Sequence, residues 1–308
     1  MTIVSSTTEY IEKLRCRKSS PADAAMMIAA GVLLGAGELI RRRFRHSKLF
    51  CPKSAPLRTW DPRDYGLDPD RVEQLTFRSS DGRMLHAWYC RARDPIASIF
   101  YCHGNTGNLT HSADAVPNFL TRGLSVFLFD YRGFGKSQGF PTIRGVVRDA
   151  IAAAKVHDVL RQDEIPSILF GYSLGGAVAA YVPRHVHFDG MVLQSTFTNV
   201  REMAKHLFTR IPLYLISGNP LDTASELARC NLPLLVIHGT ADGVIPCSMA
   251  DQLFENYRGR KEKCMVEGAR HTDLFELDGD RIFESLLELA REIRGDEPIE
   301  PETEERIA

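Results

Sequence analysis

This sequence of 308 residues lacks the features of several protein classes. Its formal net charge is −1, so it has no overall positive field that would attract nucleic acid, and no nucleic-acid partner is predicted. Its seven cysteines form no CxxC pair and no spacing typical of metal ligands. Cys90 and Cys102 are expected near the ends of neighbouring strands, and we predict both to be reduced. No internal repeat is found. We predict no metal site and no cofactor.

Hydrophobic runs long enough to span a membrane are also scarce. The best candidate is the uncharged run from Ala24 to Gly37, which is followed by Glu38 and an arginine-rich block at 41–45. A span needs about 20 apolar residues, so this run crosses a bilayer only if Glu38 is tolerated near the interface. Gly31 and Gly35 have the GxxxG spacing of closely packed membrane helices. We predict an N-terminal arm at 1–48 with a membrane-anchor helix at about 22–40. The protein is then membrane-associated through this segment, or cytoplasmic if the helix docks on its own domain.

The composition is that of a chain that folds. Hydrophobic residues make up 44% of it and charged residues 25%, which is ordinary for a globular protein. Four prolines predict an extended connector at 49–72. Between 73 and 295, apolar strands alternate with helical stretches, the pattern of a mostly parallel sheet covered by helices on both faces. A short lid segment is expected at about 198–232, and the acidic residues 296–308 predict a flexible tail.

The fold class predicted from this alternation is α/β with about eight strands. A leading hairpin, 75–78 with 84–91, turns at Ser80–Asp81–Gly82 and is expected to form an antiparallel edge. The other strands and the helices are predicted from runs of apolar residues. The strands are at 97–102, 124–130, 167–172, 190–194, 234–238 and 263–266, and the helices are at 113–122, 143–161, 177–182, 248–257 and 281–294.

A GxSxG motif, from Gly171 to Gly175, lies between a predicted strand and a predicted helix. The motif alone is weak evidence, but this context is what a nucleophile elbow requires, with small residues flanking a serine on a strained turn. A glycine-rich turn with a helix-capping serine is the structural alternative. We predict that Ser173 is a catalytic nucleophile.

A serine hydroxyl needs a base to take its proton, and the base needs an acid to orient it. His271 follows the last predicted strand in a glycine-containing loop, and Asp242 follows the strand before it, so both come after the nucleophile in the order expected for this type of hydrolase. Asp273 is the rival acid, interpreted as a helix-capping or loop residue. His238, at a strand end, is interpreted as structural.

The oxyanion hole needs two backbone N–H groups, one from the residue after the nucleophile and one from the loop after the third strand. This assigns Leu174 and Asn105. The third strand ends in His103–Gly104–Asn105–Thr106–Gly107–Asn108. A phosphate-binding loop is the competing interpretation, but no GK[ST] directly follows this segment and no GxGxxG pattern fits it. A plain strand-to-helix turn is the structural alternative.

Together these motifs resemble the α/β-hydrolase-domain (ABHD) serine hydrolases of the serine aminopeptidase-like group. The resemblance runs from about residue 73 to about 294. The matching segments are His103–Gly104–Asn105, the run from Asp130 to Gly139, the elbow, the run from Gln194 to Phe197, and the run from Gly239 to Pro246. It implies an α/β-hydrolase fold with a Ser–His–Asp triad and a structural role for Arg132, and some relatives carry an N-terminal membrane segment.

The predicted function is hydrolysis of a carboxylic ester or thioester through an acyl-enzyme, as in carboxylesterases, lipases and thioesterases. The expected partners are a small-molecule ester or acyl-thioester substrate and a membrane surface. Tyr172, Phe134 and Phe197 are placed in the substrate pocket. Two alternatives stay open, a peptidase or amidase of the serine aminopeptidase type and a non-catalytic membrane-tethered scaffold.

Overall fold

The computed structural model describes residues 49–161, 165–207 and 221–296. The predicted anchor helix at 22–40, the middle of the predicted lid at 208–220 and the tail beyond 296 lie outside these residues. Within the described ranges, no helix has both the length and the hydropathy needed to cross a bilayer.

Eight strands of the described chain form one sheet, and a separate pair of two-residue strands, Cys51–Pro52 and Thr106–Gly107, runs parallel beside it. The eight strands are β1 (Val72–Arg78), β2 (Met84–Cys90), β3 (Ala97–Cys102), β4 (Leu124–Phe129), β5 (Ser167–Tyr172), β6 (Gly190–Gln194), β7 (Leu234–Gly239) and β8 (Lys261–Val266). Their order across the sheet is β8-β7-β6-β5-β3-β4-β2-β1. Only β2 runs antiparallel to its neighbours, β1 and β4, and every other pairing is parallel.

Eight α-helices are found among the described residues. They are α1 (Thr110–Ala113), α2 (Val116–Leu120), α3 (Ile143–Leu160), α4 (Leu174–Ala179), α5 (Val200–Leu207), α6 (Thr223–Leu227), α7 (Cys247–Asn256) and α8 (Leu274–Arg294). Two short 3-10 helices, Pro62–Tyr65 and Pro69–Arg71, lie in the segment before β1.

Helices cover both faces of the sheet, which confirms the predicted α/β fold class. Alternate residues of β4 show the two layers: Phe127 and Phe129 pack into one hydrophobic cluster, and Val126 and Leu128 pack into the other. Helices α3, α4, α6 and α7 contribute to the first cluster, and α2 and α8 contribute to the second. Because side chains alternate along a strand, a strand buried on both faces is mostly apolar, as β4 is, whereas the edge strands β1 and β8 carry exposed polar residues.

The last helix begins earlier than the sequence pattern predicts. Helix α8 starts at Leu274 and not near 281, but Asp278 inside it has non-helical angles (φ −149°, ψ 51°), so the element is two helices joined at a kink. The run Asp278–Gly279–Asp280 explains the break, because Gly and Asp are poor helix formers. The second part of α8 coincides with the predicted helix.

Arg132 is a buried arginine that forms ion pairs with two carboxylates. Its Nε and Nη2 donate to Asp149 of α3 at 2.9 and 2.7 Å, and its Nη1 and Nη2 donate to Asp81 at 2.7 and 3.1 Å. Asp81 lies in the turn between β1 and β2. The guanidinium therefore joins the leading hairpin to a helix that is distant in sequence, a structural role.

Cys90 and Cys102 are free thiols, like the other described cysteines. Each lies at the end of its strand, but β4 separates β2 from β3 in the sheet. The expectation that these cysteines lie on neighbouring strands is therefore wrong. The crossover that inserts β4 between the two strands cannot be read from the order of the strands along the chain.

Candidate active site

Ser173 occupies a strained turn between β5 and α4. Its backbone angles are φ 54° and ψ −120°, a conformation that costs energy in any residue with a side chain. A Cβ on Gly171 would lie 2.4 Å from the Cα of Gly176, and one on Gly175 would lie 2.0 Å from the carbonyl oxygen of Cys102. Both positions therefore require glycine. The GxSxG motif has the tight geometry of a nucleophile elbow.

Two hydrogen bonds hold this turn against the next strand. The Ser173 N–H donates to the carbonyl oxygen of Gln194 at 2.9 Å, and the Thr196 hydroxyl donates to the carbonyl oxygen of Ser173 at 2.7 Å. Thr196 also packs where a side chain on Gly176 would be. The strained conformation is thus fixed by contacts from β6 and the residues that follow it.

The structure brings Ser173, His271 and Asp242 together in a line. His271 Nε2 lies 3.1 Å from Ser173 Oγ, and His271 Nδ1 lies 2.7 Å from Asp242 Oδ2. The three residues follow β5, β8 and β7, and parallel strands place these loops at one edge of the sheet. Because Nδ1 faces a carboxylate, it carries the ring proton, and Nε2 is free to accept the serine proton.

Asp242 is held as a carboxylate by several donors. Its Oδ1 accepts the backbone N–H groups of Val244 and Ile245 at 2.8 and 2.9 Å, and its Oδ2 lies 3.3 Å from His238 Nε2. Burial opposes ionisation, but the hydrogen bonds from His238, His271 and the backbone outweigh it and lower the pKa of Asp242. The carboxylate is therefore charged at neutral pH and can stabilise an imidazolium on His271.

The rival acid, Asp273, points to a different partner. Its carboxylate accepts the backbone N–H of Arg270 at 2.6 Å and the Arg270 Nε–H at 2.8 Å. It stands immediately before α8, as the loop interpretation expected. Of the two predicted acids, only Asp242 contacts the His271 ring.

The two predicted oxyanion donors belong to two different elements. Leu174 is the first residue of α4, and Asn105 lies in the loop after β3. A Cβ on Gly104 would lie 3.7 Å from Ser173 Cβ, so this loop passes close to the elbow. Among the hydrogen bonds of the described residues, neither the Leu174 nor the Asn105 N–H has an acceptor. Both groups are therefore available to bind an anion.

The three predicted pocket residues lie in different surroundings. The Tyr172 hydroxyl donates to the carbonyl oxygen of His271 at 3.2 Å, and the two rings are 5.4 Å apart. Phe134 is fully buried against His103, and Phe197 is buried in the hydrophobic core. Tyr172 thus ties the base loop to the elbow. Substrate contact by any of the three stays a prediction.

Sequence reasoning missed the part played by His238. Its ring is fully buried at the end of β7, where Nε2 lies 2.9 Å from the carbonyl oxygen of Ile245 as well as near Asp242. It braces the loop that carries the acid. The available signal was its position, four residues before Asp242 at a strand end. In the described part of the chain, no three His, Cys, Asp or Glu side chains form a group that could hold a metal ion.

Comparisons with known proteins found a family model and several relatives that are similar to this chain. A family model described as serine aminopeptidase, S33, matches residues 93–218. The uncharacterized protein YfhR of Escherichia coli K12 is 32% identical over 241 residues, which cover 74% of this chain and 84% of that protein. The α/β hydrolase domain-containing protein WAV2 of Arabidopsis thaliana is 27% identical over 289 residues, covering 84% and 91%.

Solved structures show the same fold. The Pyrococcus furiosus esterase Pf2001 superposes with a TM-score of 0.64 at 18% identity, covering 80% of this chain and 97% of that one. A likeness at this identity concerns the fold and leaves the substrate open.

Proposed function

Because this chain belongs to the α/β-hydrolase superfamily, we propose that it is a serine hydrolase that cleaves carboxylic esters or thioesters through an acyl-enzyme on Ser173. The observation that carries the proposal is the unbroken line of hydrogen bonds from Asp242 through His271 to Ser173, at 2.7 and 3.1 Å. A neutral imidazole between a charged carboxylate and a serine hydroxyl is the arrangement that activates serine as a nucleophile.

In the acylation step, Ser173 Oγ attacks the carbonyl carbon while its proton passes to His271 Nε2. Asp242 stabilises the imidazolium that results. The carbonyl oxygen becomes an oxyanion that accepts hydrogen bonds from the N–H groups of Leu174 and Asn105. When this intermediate collapses, the bond to the alcohol or thiol breaks, and His271 returns its proton to the leaving group.

In the deacylation step, water takes the place of the leaving group. His271 Nε2 accepts a proton from the water as it attacks the acyl carbon, and the same two N–H groups stabilise the second oxyanion. Collapse releases the carboxylic acid and returns the proton to Ser173. The cycle uses only groups that this chain supplies, together with substrate and water.

The predicted anchor at 22–40 supports a substrate with a medium-to-long acyl chain, since such a segment would bring the enzyme to a lipid surface. Amide cleavage is the second candidate, because the family model that matches residues 93–218 is named for a serine aminopeptidase. It uses the same triad. The two activities differ in the leaving group, so a direct comparison of substrates separates them.

The test uses the full chain and a fluorophosphonate probe, which modifies activated serines. Wild type should be labelled on Ser173, and Ser173→Ala should abolish labelling and lower ester hydrolysis by at least about 10⁴-fold while the protein stays folded. Ser112→Ala, at a half-buried serine outside the triad, is the control and should behave as wild type.

Each protein is then assayed side by side on a chain-length series of p-nitrophenyl esters and on aminoacyl amides. Faster turnover of esters supports the proposal, and faster turnover of amides replaces it with the peptidase activity. Labelling at another residue, or esterase activity that survives Ser173→Ala, contradicts the assignment of Ser173. A wild-type protein that is neither labelled nor active on any of these substrates leaves the scaffold interpretation.

A further inference from the structure

One buried histidine ring, that of His103, contacts the backbone of the loop after β3. His103 follows directly after that strand and is only 2% exposed. Its Nδ1 lies 2.8 Å from the carbonyl oxygen of Gly104, the next residue. A carbonyl oxygen can only accept a hydrogen bond, so Nδ1 must carry the ring proton and donate it.

The second ring nitrogen is consistent with this tautomer. His103 Nε2 has no hydrogen-bond partner among the described residues, and its nearest charged neighbour, Asp130 Oδ1, is 3.8 Å away. That oxygen accepts the backbone N–H of Leu109 at 2.6 Å instead. Burial lowers the pKa of His103 against the opposing effect of Asp130, so the ring is neutral and Nε2 bears no proton.

The hydrogen bond acts on the peptide group that carries a predicted oxyanion donor. The carbonyl of Gly104 and the N–H of Asn105 belong to the same planar peptide unit. The described chain contains no cis peptide bond, so this unit is trans, and its C=O and N–H point in opposite directions. A ring that holds the carbonyl on one side therefore sets the direction of the N–H on the other.

Aromatic side chains pack against the His103 ring, and hydrogen bonds hold the backbone next to it. Tyr131 and Phe134 pack on it with ring centroids 4.5 and 5.1 Å away, and the Tyr131 hydroxyl donates to the carbonyl oxygen of His103 at 3.3 Å. The next carbonyl, that of Asn105, accepts the N–H of Cys51 at 2.8 Å. The Gly104–Asn105 peptide is thus held from both ends.

We propose that His103 is a positioning residue that aims the Asn105 N–H at the developing oxyanion by binding the Gly104 carbonyl. The proposal rests on the serine hydrolase function proposed above. Phe134 then contributes to the site indirectly, because it packs against the His103 ring. A donor aimed in advance stabilises charge in the transition state without reorganising during the reaction.

Two substitutions separate the hydrogen bond from the packing. His103→Leu removes the donor and fills most of the space, and His103→Asn keeps an N–H donor close to the Nδ1 position. His157→Leu is the matched control, since His157 is also a buried imidazole, with its Nε2 bonded to Ser98 at 2.7 Å and no contact with this loop. All are made in the full chain, and their unfolding midpoints are measured.

The measurements are kcat and KM for a p-nitrophenyl ester and the inhibition constant of a trifluoromethyl ketone, which forms an anionic tetrahedral adduct. His103→Leu should lower kcat about 10- to 100-fold with KM within about threefold, and should weaken the ketone by a similar factor. His103→Asn should recover most of both losses. His157→Leu should lower the unfolding midpoint and leave kcat within about twofold.

The proposal is overturned if His103→Leu keeps its kcat while folded, if its effect falls on KM, or if His103→Asn is as slow as His103→Leu.

If His103→Leu fails to fold, a measurement on wild type that does not depend on turnover tests the proposal. In ¹⁵N-histidine NMR spectra of wild type, the His103 ring should carry its proton on Nδ1. A proton on Nε2 of this ring overturns the proposal. Absence of fluorophosphonate labelling at Ser173 in wild type refutes the hydrolase function instead, and the tautomer still tests the His103 contact.

Discussion

This protein has one ionic cluster around Asp242 and another around Arg132, and the two have different roles. Both join segments that are distant in sequence. The guanidinium of Arg132 donates to both Asp149 and Asp81, so each carboxylate has a partner that stays charged. His271 instead has one nitrogen on Asp242 and the other on Ser173 Oγ, where it can gain a proton.

The comparison shows how a fold separates stability from chemistry. An arginine stays charged throughout, so its pairing is permanent and contributes to holding the hairpin on α3. An imidazole changes its charge near neutral pH, so its pairing with a carboxylate becomes stronger when the reaction puts a proton on it. Substitution at one cluster should therefore change turnover, and substitution at the other should change the free energy of unfolding.

The largest expected effect tests the acid. Asp242→Asn should lower kcat by about 10⁴-fold, because an amide can stabilise neither the correct tautomer of His271 nor its charged form. Asp273→Asn is the matched control and should change kcat less than about threefold, since Asp273 contacts Arg270 and not the His271 ring. Steady-state kinetics on a p-nitrophenyl ester checks both variants. A large loss in Asp273→Asn with a small one in Asp242→Asn would reverse the assignment.

The second largest expected effect is on the free energy of unfolding and tests the Arg132 cluster. Arg132→Met should lower the free energy of unfolding by about 3 to 5 kcal/mol, because it leaves the buried Asp149 without its partner. The kcat of the folded protein should stay close to that of wild type. Urea unfolding, with kcat measured on the same samples, checks this.

Arg122→Met is the control for that variant. Arg122 forms an ion pair at 2.9 Å with Asp280, whose side chain is 97% exposed, so its loss should matter much less. If Arg132→Met has the unfolding free energy of wild type, or loses turnover without losing stability, the Arg132 cluster does not have the purely structural role assigned to it.

The smallest effect is a change in how stability depends on pH. The hydrogen bond from Arg132 lowers the pKa of Asp81 below its usual value of 3.8. The stability that this carboxylate contributes is complete above that value and is lost as the pH falls toward the lower pKa of the folded state. In Arg132→Met, the free energy of unfolding should therefore fall less steeply between about pH 5 and about pH 2 than in wild type. Equal slopes in the two proteins would show that Arg132 does not set the ionisation of Asp81.

Local features of the sequence predicted much of the fold. Runs of apolar residues mark the strands, and the glycines around Ser173 mark a turn that only small residues allow. The first part of α8, which begins at Leu274, was missed because the run Asp278–Gly279–Asp280 separates it from the predicted helix and disfavours helix locally. The separation of Cys90 from Cys102 was missed because strand order is a property of the whole sheet.

The candidate site could likewise be predicted only in part from the sequence. Ser173, His271 and Asp242 were identified from chain order and loop position, but their contact distances depend on how β5, β7 and β8 pack. Chain order favoured Asp242 over Asp273, and the structure adds the contacts: Asp242 lies against the His271 ring and Asp273 against Arg270.

The bracing contacts of His238 and His103 cannot be read from the sequence, which shows only that each ring stands at or just after the end of a strand. Each contact acts on a backbone group or on a neighbouring side chain and forms only when a loop closes. A ring that follows a strand looks the same in sequence whether it braces a loop or merely fills space.

By itself, the sequence determined which segments are strands, where the strained turn lies and which residue types could do chemistry, because these depend on neighbouring residues and on the two-residue repeat of a strand. The tertiary structure alone decided how closely Asp242 approaches His271 and which carbonyl meets His103. Ser173 and His271 are 98 residues apart along the chain. A distance of 3.1 Å between such residues is set by the order and packing of the strands between them, which no local pattern encodes.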